Sequence, residues 1–255
     1  MIGTNKYDDI EGADVCIVTA GIARKPGMSR DDLLGTNAKI LTSVADGIKK
    51  YAPNAFVIVI TNPLDAMVTL IQRTLGFPKN RVVGQSGILD SSRYRSFIAK
   101  ELNVSVKSVH AMVLGGHGDD MVPVRSSCIV GGVPVEKLIS SQRLDEIEAR
   151  VRNAGGEVVA LLKTGSAYFS PASAAIQMTE AFLFDKKEIL PCAALLEGEY
   201  GVRGYYFCVP VMIGPGGVEK VIDINLNAAD KKAFDESLSH VKDIVQAMNR
   251  VLGVS

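Results

Sequence analysis

The sequence carries no excess of either charge, because 28 Lys and Arg residues balance 28 Asp and Glu residues. A nucleic-acid binder draws most of its affinity from excess basic charge, so this balance predicts that no nucleic acid is a partner. Long apolar runs are also missing, since none approaches the roughly 20 residues that cross a bilayer. The first residues, Met1 to Lys6, lack the apolar centre of a signal peptide. These absences predict a soluble protein without a membrane partner.

Cysteine is scarce, and its four copies, Cys16, Cys128, Cys192 and Cys208, lie far apart in the sequence. Three of them stand in apolar, strand-like runs, where a free thiol behaves as a small hydrophobic side chain. Their spacing predicts neither disulfide bonds nor a metal site. A reducing cytoplasm is the location that fits this pattern.

The first third of the chain alternates strand patterns with helical patterns. Strands are predicted at 13–20, 56–60 and 82–83, and helices at 30–51, after Ser29 as N-cap, and at 64–75. This alternation predicts an α/β fold with a doubly wound parallel sheet whose strands are buried. Ligands of such sheets bind at the carboxyl ends of the strands. Gly21, Asn62 and the turn after Gly84 fall at those ends.

The pattern changes to α+β after residue 89. Helices are predicted at 90–102, 144–162, 173–184 and 228–252, a strand at 108–114, a hairpin at 121–135, and antiparallel strands at 189–195, 205–213 and 218–224. Gly155 and Gly156 interrupt one helical pattern and predict a kink or a close helix contact there. We expect a nucleotide-binding domain at 1–86 and a catalytic domain at 87–255, without a flexible linker.

One histidine stands out chemically. His117 lies between glycines after an apolar run, in open backbone that a small substrate can approach. Taken alone it would be an ordinary loop histidine, and its companions change that interpretation. Asp90 and Arg93 lie upstream, and Arg24 and Arg30 flank a Pro-Gly loop, a set that suits proton transfer on an anionic substrate. The other two histidines are expected in the core (His110, in a strand) and on the surface (His240, on the last helix).

Several stretches together resemble the lactate/malate dehydrogenase family, and most closely its lactate-dehydrogenase-like bacterial malate dehydrogenases. The matching residues are 18–21 (VTAG), 24–33 (RKPGMSRDDL), 60–63 (ITNP), 89–93 (LDSSR), 114–119 (LGGHGD), 162–167 (LKTGSA) and 198–201 (GEYG). The resemblance covers the whole chain in order. It implies a Rossmann-like sheet, NAD as cofactor, malate and oxaloacetate as substrates, and a homodimer or homotetramer.

The resemblance also implies roles for the residues already singled out. His117 matches the family's acid–base, and Asp90 the carboxylate that orients it; a helix N-cap is the competing interpretation of Asp90. Arg93 matches the arginine that clamps the substrate carboxylate, and Arg30 the one that polarises the C–O bond from a closing loop. Arg24 matches the arginine that meets a second carboxylate, while the neighbouring Lys25 is expected in solvent.

A further set of positions matches family contacts to cofactor and substrate. Cofactor contacts are implied for Gly21, Asn37, Ile60, Thr61 and Asn62, and substrate contacts for Asn62 and Ser166. An Asn-Pro turn is the competing interpretation of Asn62. Gln85 and Ser86 depart from the smaller or apolar residues that relatives carry there, which affects the contacts expected near the nicotinamide.

One family signature is missing. No G-x-G-x-x-G motif occurs, and the glycine-rich stretch 214–217 is expected to be a hairpin turn. Met1 aligns after the family's first strand–helix–strand unit, which predicts an N-terminally incomplete sheet and either an incomplete sequence or a shortened relative. A catalytically silent relative that keeps its oligomer surfaces therefore stands beside malate dehydrogenase as an alternative. Lactate dehydrogenase is a second alternative, which Arg24 disfavours.

Overall fold

The computed structural model describes residues 2–22, 29–163 and 165–254. The helices are α1 (Arg30–Tyr51), α2 (Leu64–Leu75), α3 (Gly87–Leu102), α4 (Ser141–Leu162), α5 (Phe169–Leu183) and α6 (Ala228–Leu252). The strands are β1 (Val15–Val18), β2 (Phe56–Val59), β3 (Val82–Gly84), β4 (Val109–His110), β5 (Val113–Gly115), β6 (Met121–Pro123), β7 (Ile129–Val130), β8 (Val133–Pro134), β9 (Glu188–Glu197), β10 (Arg203–Gly214) and β11 (Gly217–Val221). None of the helices in these ranges is long and apolar enough to cross a membrane.

The parallel part of the sheet is formed by β1, β2 and β3, as the alternating pattern predicts. All four residues of β2 are buried, because helices cover both of its faces; Phe56 stacks on Phe182 of α5 with ring centroids 4.7 Å apart. The prediction of a fully buried first strand is wrong for β1. Within the described residues β1 pairs with β2 alone, and Ile17 is 44% exposed at this edge.

The antiparallel strands β5, β6, β9, β10 and β11 continue the same sheet. The order is β1-β2-β3-β9-β10-β5-β6, with β11 paired to β10, and β3 meets β9 through Gly84 and Ala193. The predicted hairpin turn at Gly214–Gly217 joins β10 to β11. Mixed α/β architecture is therefore confirmed. The domain boundary at residue 86 stays a prediction, since strands from both sides of it share one sheet.

The predicted strand at 108–114 is wrong as a single element. Val109 pairs with Val130 in a small sheet of β4, β7 and β8, whereas Val113 pairs with Pro123 of β6 in the large sheet. Two different partners split the apolar run, which sequence periodicity does not register. The predicted hairpin at 121–135 shrinks for the same reason to β7 and β8. His110 is exposed, contrary to the expected core position, because only one face of β4 is covered.

Helices α1, α2 and α6 pack on one another beside the sheet. Helix α1 begins at a capping box, in which the Ser29 hydroxyl accepts the Asp32 N–H and the Asp32 carboxylate accepts the Ser29 N–H, as Ser29 predicts. Helix α6 buries the apolar stripe expected for it. Its Phe234 is fully buried between the rings of Tyr200 and Phe207. These helices place two elements, the first turn of α2 and the middle of α6, against the end of β5.

Candidate active site

The ends of β1 and β2 are tied together at the carboxyl edge of the sheet. The Thr61 hydroxyl donates to the carbonyl of Ala20 at 2.6 Å. Gly21 follows with φ +139°, and a Cβ there would lie 2.8 Å from Thr61 Cγ2, so no larger residue fits this backbone. Gly21 and Asn62 are both exposed at this edge, whereas Ile60 is half-buried.

The side chain of Asn37, in α1, makes hydrogen bonds to both of these segments. Its side chain is fully buried; Oδ1 accepts the Ile22 N–H at 2.8 Å, and Nδ2 donates to the carbonyls of Ile22 and Asn62. Both amide hydrogens are therefore used inside the protein. The arrangement orients the backbone next to Gly21 and at Asn62, the two exposed positions of this edge.

Helix α3 also packs closely against β5 and β10. A Cβ at Gly87 would lie 2.3 Å from the Val113 carbonyl oxygen and 2.5 Å from Cys208 Sγ, so only glycine allows this contact. The buried Ser91 hydroxyl then accepts the Val113 N–H at 2.8 Å. This bond joins α3 directly to the strand that leads into the His117 loop.

Asp90 lies inside the first turn of α3, because the helix begins at Gly87. Its interpretation as the N-cap is therefore wrong, and Ser86 occupies that position. The Asp90 carboxylate is free to face the His117 loop instead. Oδ2 lies 2.9 Å from His117 Nδ1, and Oδ1 accepts from Arg93 Nη1 at 3.2 Å. Asp90 is 1% exposed, so its charge is balanced by these neighbours.

The Asp90 contact decides which nitrogen of His117 carries a hydrogen. An ionised carboxylate only accepts hydrogen bonds, so Nδ1 carries the hydrogen, and Nε2 makes no bond to Asp90. The side chains of His117 and Arg93 are each 15% exposed. Each therefore keeps a small part of its surface open to solvent.

Burial lowers the pKa of His117, and the charge and hydrogen bond of Asp90, with the charge of Asp65, outweigh it; the Arg93 charge acts against them. The net direction is upward. The imidazolium form is thus stabilised in the folded protein, which suits a group that must hold and release a proton near neutral pH.

Helix α4 supports the helix that carries this pair. The guanidinium of Arg125 makes two hydrogen bonds to the buried Glu148 of α4, through Nε at 2.8 Å and Nη2 at 3.0 Å. Tyr94 of α3 donates to the same carboxylate at 3.2 Å. Gly155 lies against Arg93, where a built Cβ would be 3.9 Å from Nη1. Helix α4 runs through Gly155 and Gly156, and 3.9 Å is an ordinary van der Waals distance, so the kink or close helix contact stays a prediction.

The remaining predicted site residues are less closely placed. Arg24 and Lys25 lie outside the described residues, and of Arg30 only its position at the start of α1 is described. Ser166 is exposed between α4 and α5, and no described hydrogen bond joins it to His117 or Asp90. Its substrate role stays a prediction.

Two residues that sequence reasoning missed hold the His117 loop. Asp65 Oδ2 accepts the His117 N–H at 3.1 Å, and the Ser237 hydroxyl accepts the Gly116 N–H at 2.8 Å. Signals for both exist in the sequence. Asp65 is the only acidic residue of α2 and lies among apolar residues in its first turn, and Ser237 lies on the apolar face of α6, between Phe234 and Val241.

Comparison with known proteins identifies the family of the chain. Residues 1–84 match the family model of the lactate/malate dehydrogenase NAD binding domain, and residues 88–251 match that of the lactate/malate dehydrogenase alpha/beta C-terminal domain. The chain belongs to the lactate/malate dehydrogenase family. It is 61% identical over 254 residues to malate dehydrogenase 2 of Anaeromyxobacter dehalogenans, an alignment that covers 96% of this chain and 80% of the relative.

Solved structures of the family superpose closely. The malate dehydrogenase of Cryptosporidium parvum matches with a TM-score of 0.94 and 44% identity, covering 97% of this chain and 81% of that one. The lactate dehydrogenase of the same organism, complexed with lactic acid and nicotinamide adenine dinucleotide, matches with a TM-score of 0.93 and 50% identity, covering 97% and 80%. The fold is thus shared by family members with either substrate.

The carboxyl edge fits the dinucleotide of this family. Gly21 presents bare, exposed backbone, and the exposed Asn62 lies beside it. At the end of β3, Gln85 Nε2 is buried without a hydrogen-bond partner among the described residues. A polar donor of this kind is normally satisfied by water or by a ligand. The unexpected Gln85 is thus a polar group at the edge where the family binds its cofactor.

The upward pKa shift of His117 predicts a pH-dependent contribution to stability. A histidine whose folded pKa lies above its unfolded value of 6.5 stabilises the fold below that value, and this contribution is lost as pH rises through the folded pKa. We expect His117→Gln to lower the free energy of unfolding more at about pH 5.5 than at about pH 8.5. Urea unfolding followed by circular dichroism at both pH values measures this difference.

The control repeats the comparison in an Asp90→Asn background. There the main group that stabilises the imidazolium is gone while burial and the Arg93 charge still lower the pKa of His117, so the loss at about pH 5.5 should no longer exceed the loss at about pH 8.5. An equal or larger loss at about pH 8.5 in the native background would contradict the assignment.

Proposed function

We propose that this chain is a malate dehydrogenase, which interconverts (S)-malate and oxaloacetate with NAD. The observation that carries the proposal is the meeting of one imidazole, one buried carboxylate and one guanidinium at the carboxyl edge of the sheet. Oxidation of a 2-hydroxy acid needs a base for the hydroxyl proton and a cation for the carboxylate. Malate dehydrogenase relatives that are 61% and 58% identical to the chain support the same reaction.

His117 serves as the acid–base through Nε2. In malate oxidation the neutral imidazole takes the proton of the substrate hydroxyl, and Asp90 stabilises the imidazolium that forms. In oxaloacetate reduction the imidazolium returns that proton to the carbonyl oxygen. When NAD is bound, it supplies the acceptor for the hydride that leaves the carbon carrying the malate hydroxyl. The hydrogen bond at Nδ1 keeps the ring in one tautomer through both directions.

Arg93 binds the substrate carboxylate next to the reacting carbon. One nitrogen, Nη1, is engaged by Asp90, which fixes the guanidinium on α3. Its remaining N–H groups make no hydrogen bond to another described residue and can form two parallel bonds to a carboxylate. Arg24 and Arg30 complete the set in this proposal, Arg24 at a second carboxylate and Arg30 at the reacting oxygen, as the family resemblance implies.

His117→Asn tests the acid–base. Removing the imidazole should reduce kcat for oxaloacetate reduction by about 100- to 10,000-fold, which is the usual contribution of a positioned acid–base, while NADH binding is retained. Absorbance of NADH measures turnover, and a fluorescence titration measures binding.

The matched control is His110→Asn, the same substitution at an exposed histidine, which should leave kcat unchanged. Native-like turnover of His117→Asn would remove His117 from the mechanism. A chain without bound NADH or turnover before any substitution would overturn the proposed function.

Arg24→Gln tests the substrate. Without the Arg24 cation, the pocket for the second carboxylate no longer favours a dicarboxylate over a monocarboxylate. The ratio of kcat/KM for oxaloacetate to kcat/KM for pyruvate should therefore fall by about tenfold or more. Steady-state kinetics with both substrates give the ratio. Lys25→Gln removes the neighbouring charge, which is expected in solvent, and should leave the ratio unchanged. An unaltered ratio in Arg24→Gln would favour a substrate that does not contact Arg24.

We further propose that the chain forms a homodimer or homotetramer. The end of α4 and the length of α5 expose large apolar side chains, including Leu161 at 82%, Phe169 at 80% and Phe184 at 69%. Large apolar side chains exposed at the end of α4 and at both ends of α5 are typical of a surface that a second copy covers.

Light scattering on a size-exclusion column should give two or four times 27.2 kDa. Phe169→Asp should lower that mass, because an unpaired charge would be buried in the contact. Val104→Asp, which changes an exposed aliphatic residue after α3, is the control and should not. A native chain that elutes with the mass of one copy would refute the oligomer.

The cytoplasm is the proposed location. All four cysteines are free, and Cys128, Cys192 and Cys208 are buried. Burial raises the pKa of the Cys128 and Cys208 thiols to about 12, so both stay protonated and unreactive at neutral pH. Thiols of this kind are common in proteins of a reducing compartment.

A further inference from the structure

Asp65 is a buried carboxylate that neither the fold nor the proposed acid–base pair explains. It lies in the first turn of α2 and is 4% exposed. Oδ2 accepts the backbone N–H of His117, whereas Oδ1 is buried without a partner in the described part of the chain. A buried carboxylate with an unpaired oxygen costs stability. Such a cost is typical of residues retained for function.

A neutral residue performs the equivalent anchoring one position earlier. The Ser237 hydroxyl of α6 accepts the Gly116 N–H at 2.8 Å. Gly115 has φ +90°, and a Cβ there would lie 2.7 Å from that hydroxyl, so the loop is pressed against α6. Two successive N–H groups thus meet two buried acceptors, of which one is neutral and one carries a charge. A hydrogen bond alone does not require the charge at Asp65.

The charge of Asp65 acts in a small set of ionisable groups. Burial raises the pKa of Asp65 to about 6, the backbone bond and charge of His117 lower it, and the charge of Asp120 raises it. The neighbouring Cys208 of β10 stays a neutral thiol, since burial raises its pKa to about 12. On the far side of His117 lie Asp90 and Arg93 of α3.

We propose that Asp65 is a positioning residue that anchors the His117 loop through its backbone and stabilises the imidazolium by its charge. The imidazole then lies between two buried carboxylates: Asp90 acts on the ring at Nδ1, and Asp65 acts from the backbone side. The Asp65 charge offsets the opposing charge of Arg93, which must lie nearby to hold the substrate. This inference rests on the proposed function for its catalytic meaning, while its electrostatic part concerns this chain alone.

The test compares two variants by NMR titration of the imidazole rings in the ligand-free chain. His117 is one of three histidines, and its signals are assigned by their loss in His117→Gln. Asp65→Asn keeps an oxygen that accepts the His117 N–H and removes the charge. We expect it to lower the pKa of His117 by about one unit, a tenfold loss of proton affinity. Ser237→Ala removes a neutral anchor of the same loop and should leave the His117 pKa unchanged.

Two results would overturn the proposal. An unchanged His117 pKa in Asp65→Asn would mean that the ring does not sense the Asp65 charge. An equal decrease in Ser237→Ala would mean that loop position, rather than charge, determines the proton affinity of His117.

A second measurement needs no variant of Asp65. The carboxyl signal of Asp65 is titrated by carbon NMR in the native chain and in His117→Gln. Because the two charges attract each other, loss of the imidazolium should raise the pKa of Asp65. An unchanged value would overturn the proposal even if Asp65→Asn did not fold.

Kinetics separate this inference from the proposed function. Oxaloacetate reduction needs the imidazolium, so its rate should decline at a lower pH in Asp65→Asn than in the native chain, and Ser237→Ala should not shift this decline. An NMR shift in a chain without any turnover would refute the proposed function and leave the electrostatic role of Asp65 standing. If Asp65→Asn turns over oxaloacetate with the same pH profile as the native chain, the catalytic role of Asp65 alone is refuted.

Discussion

The site depends on the burial of one charge. The Asp90 carboxylate is almost entirely removed from water, so it must be paired, and its partners are Arg93 and the ring of His117. The pairing brings one imidazole and one guanidinium to the same carboxylate. Both Asp90 and Arg93 project from the first two turns of α3, and the packing of α3 therefore determines the geometry of the site.

Several contacts serve to hold α3 and the His117 loop against each other. Gly87 allows α3 to approach β5 and β10, and Ser91 joins it to β5 by a hydrogen bond. The loop is anchored on its other side by Asp65 of α2 and Ser237 of α6. Gly116 and Ser237, which one of these hydrogen bonds joins, are 121 residues apart in the chain. Precise placement of one imidazole thus draws on most of the fold, as expected for a preorganised site.

Much of the architecture was predictable from local patterns. The bounds of α1, α2 and α6 follow the predicted ones, because apolar periodicity and the Ser29 cap are local signals. The predictions failed where contacts with other elements determine the pairing of a strand or the start of a helix. The run 108–114 is divided between two sheets, and α3 begins three residues before Asp90, after an N-cap, Ser86, whose side chain makes no capping hydrogen bond. His110 is exposed for a related reason, since periodicity does not tell which face of a short strand is covered.

The residues of the acid–base pair were also predictable, but only through family motifs that place His117, Asp90 and Arg93 in one order along the chain. By itself the sequence determined the family, the alternation of strands and helices, and the kinds of side chain available for chemistry. Tertiary structure alone decided that Asp65 and Ser237 meet the His117 loop and that one continuous sheet carries both parallel and antiparallel strands. The physical reason is that burial and pairing depend on contacts between residues remote in the chain, which local patterns do not contain.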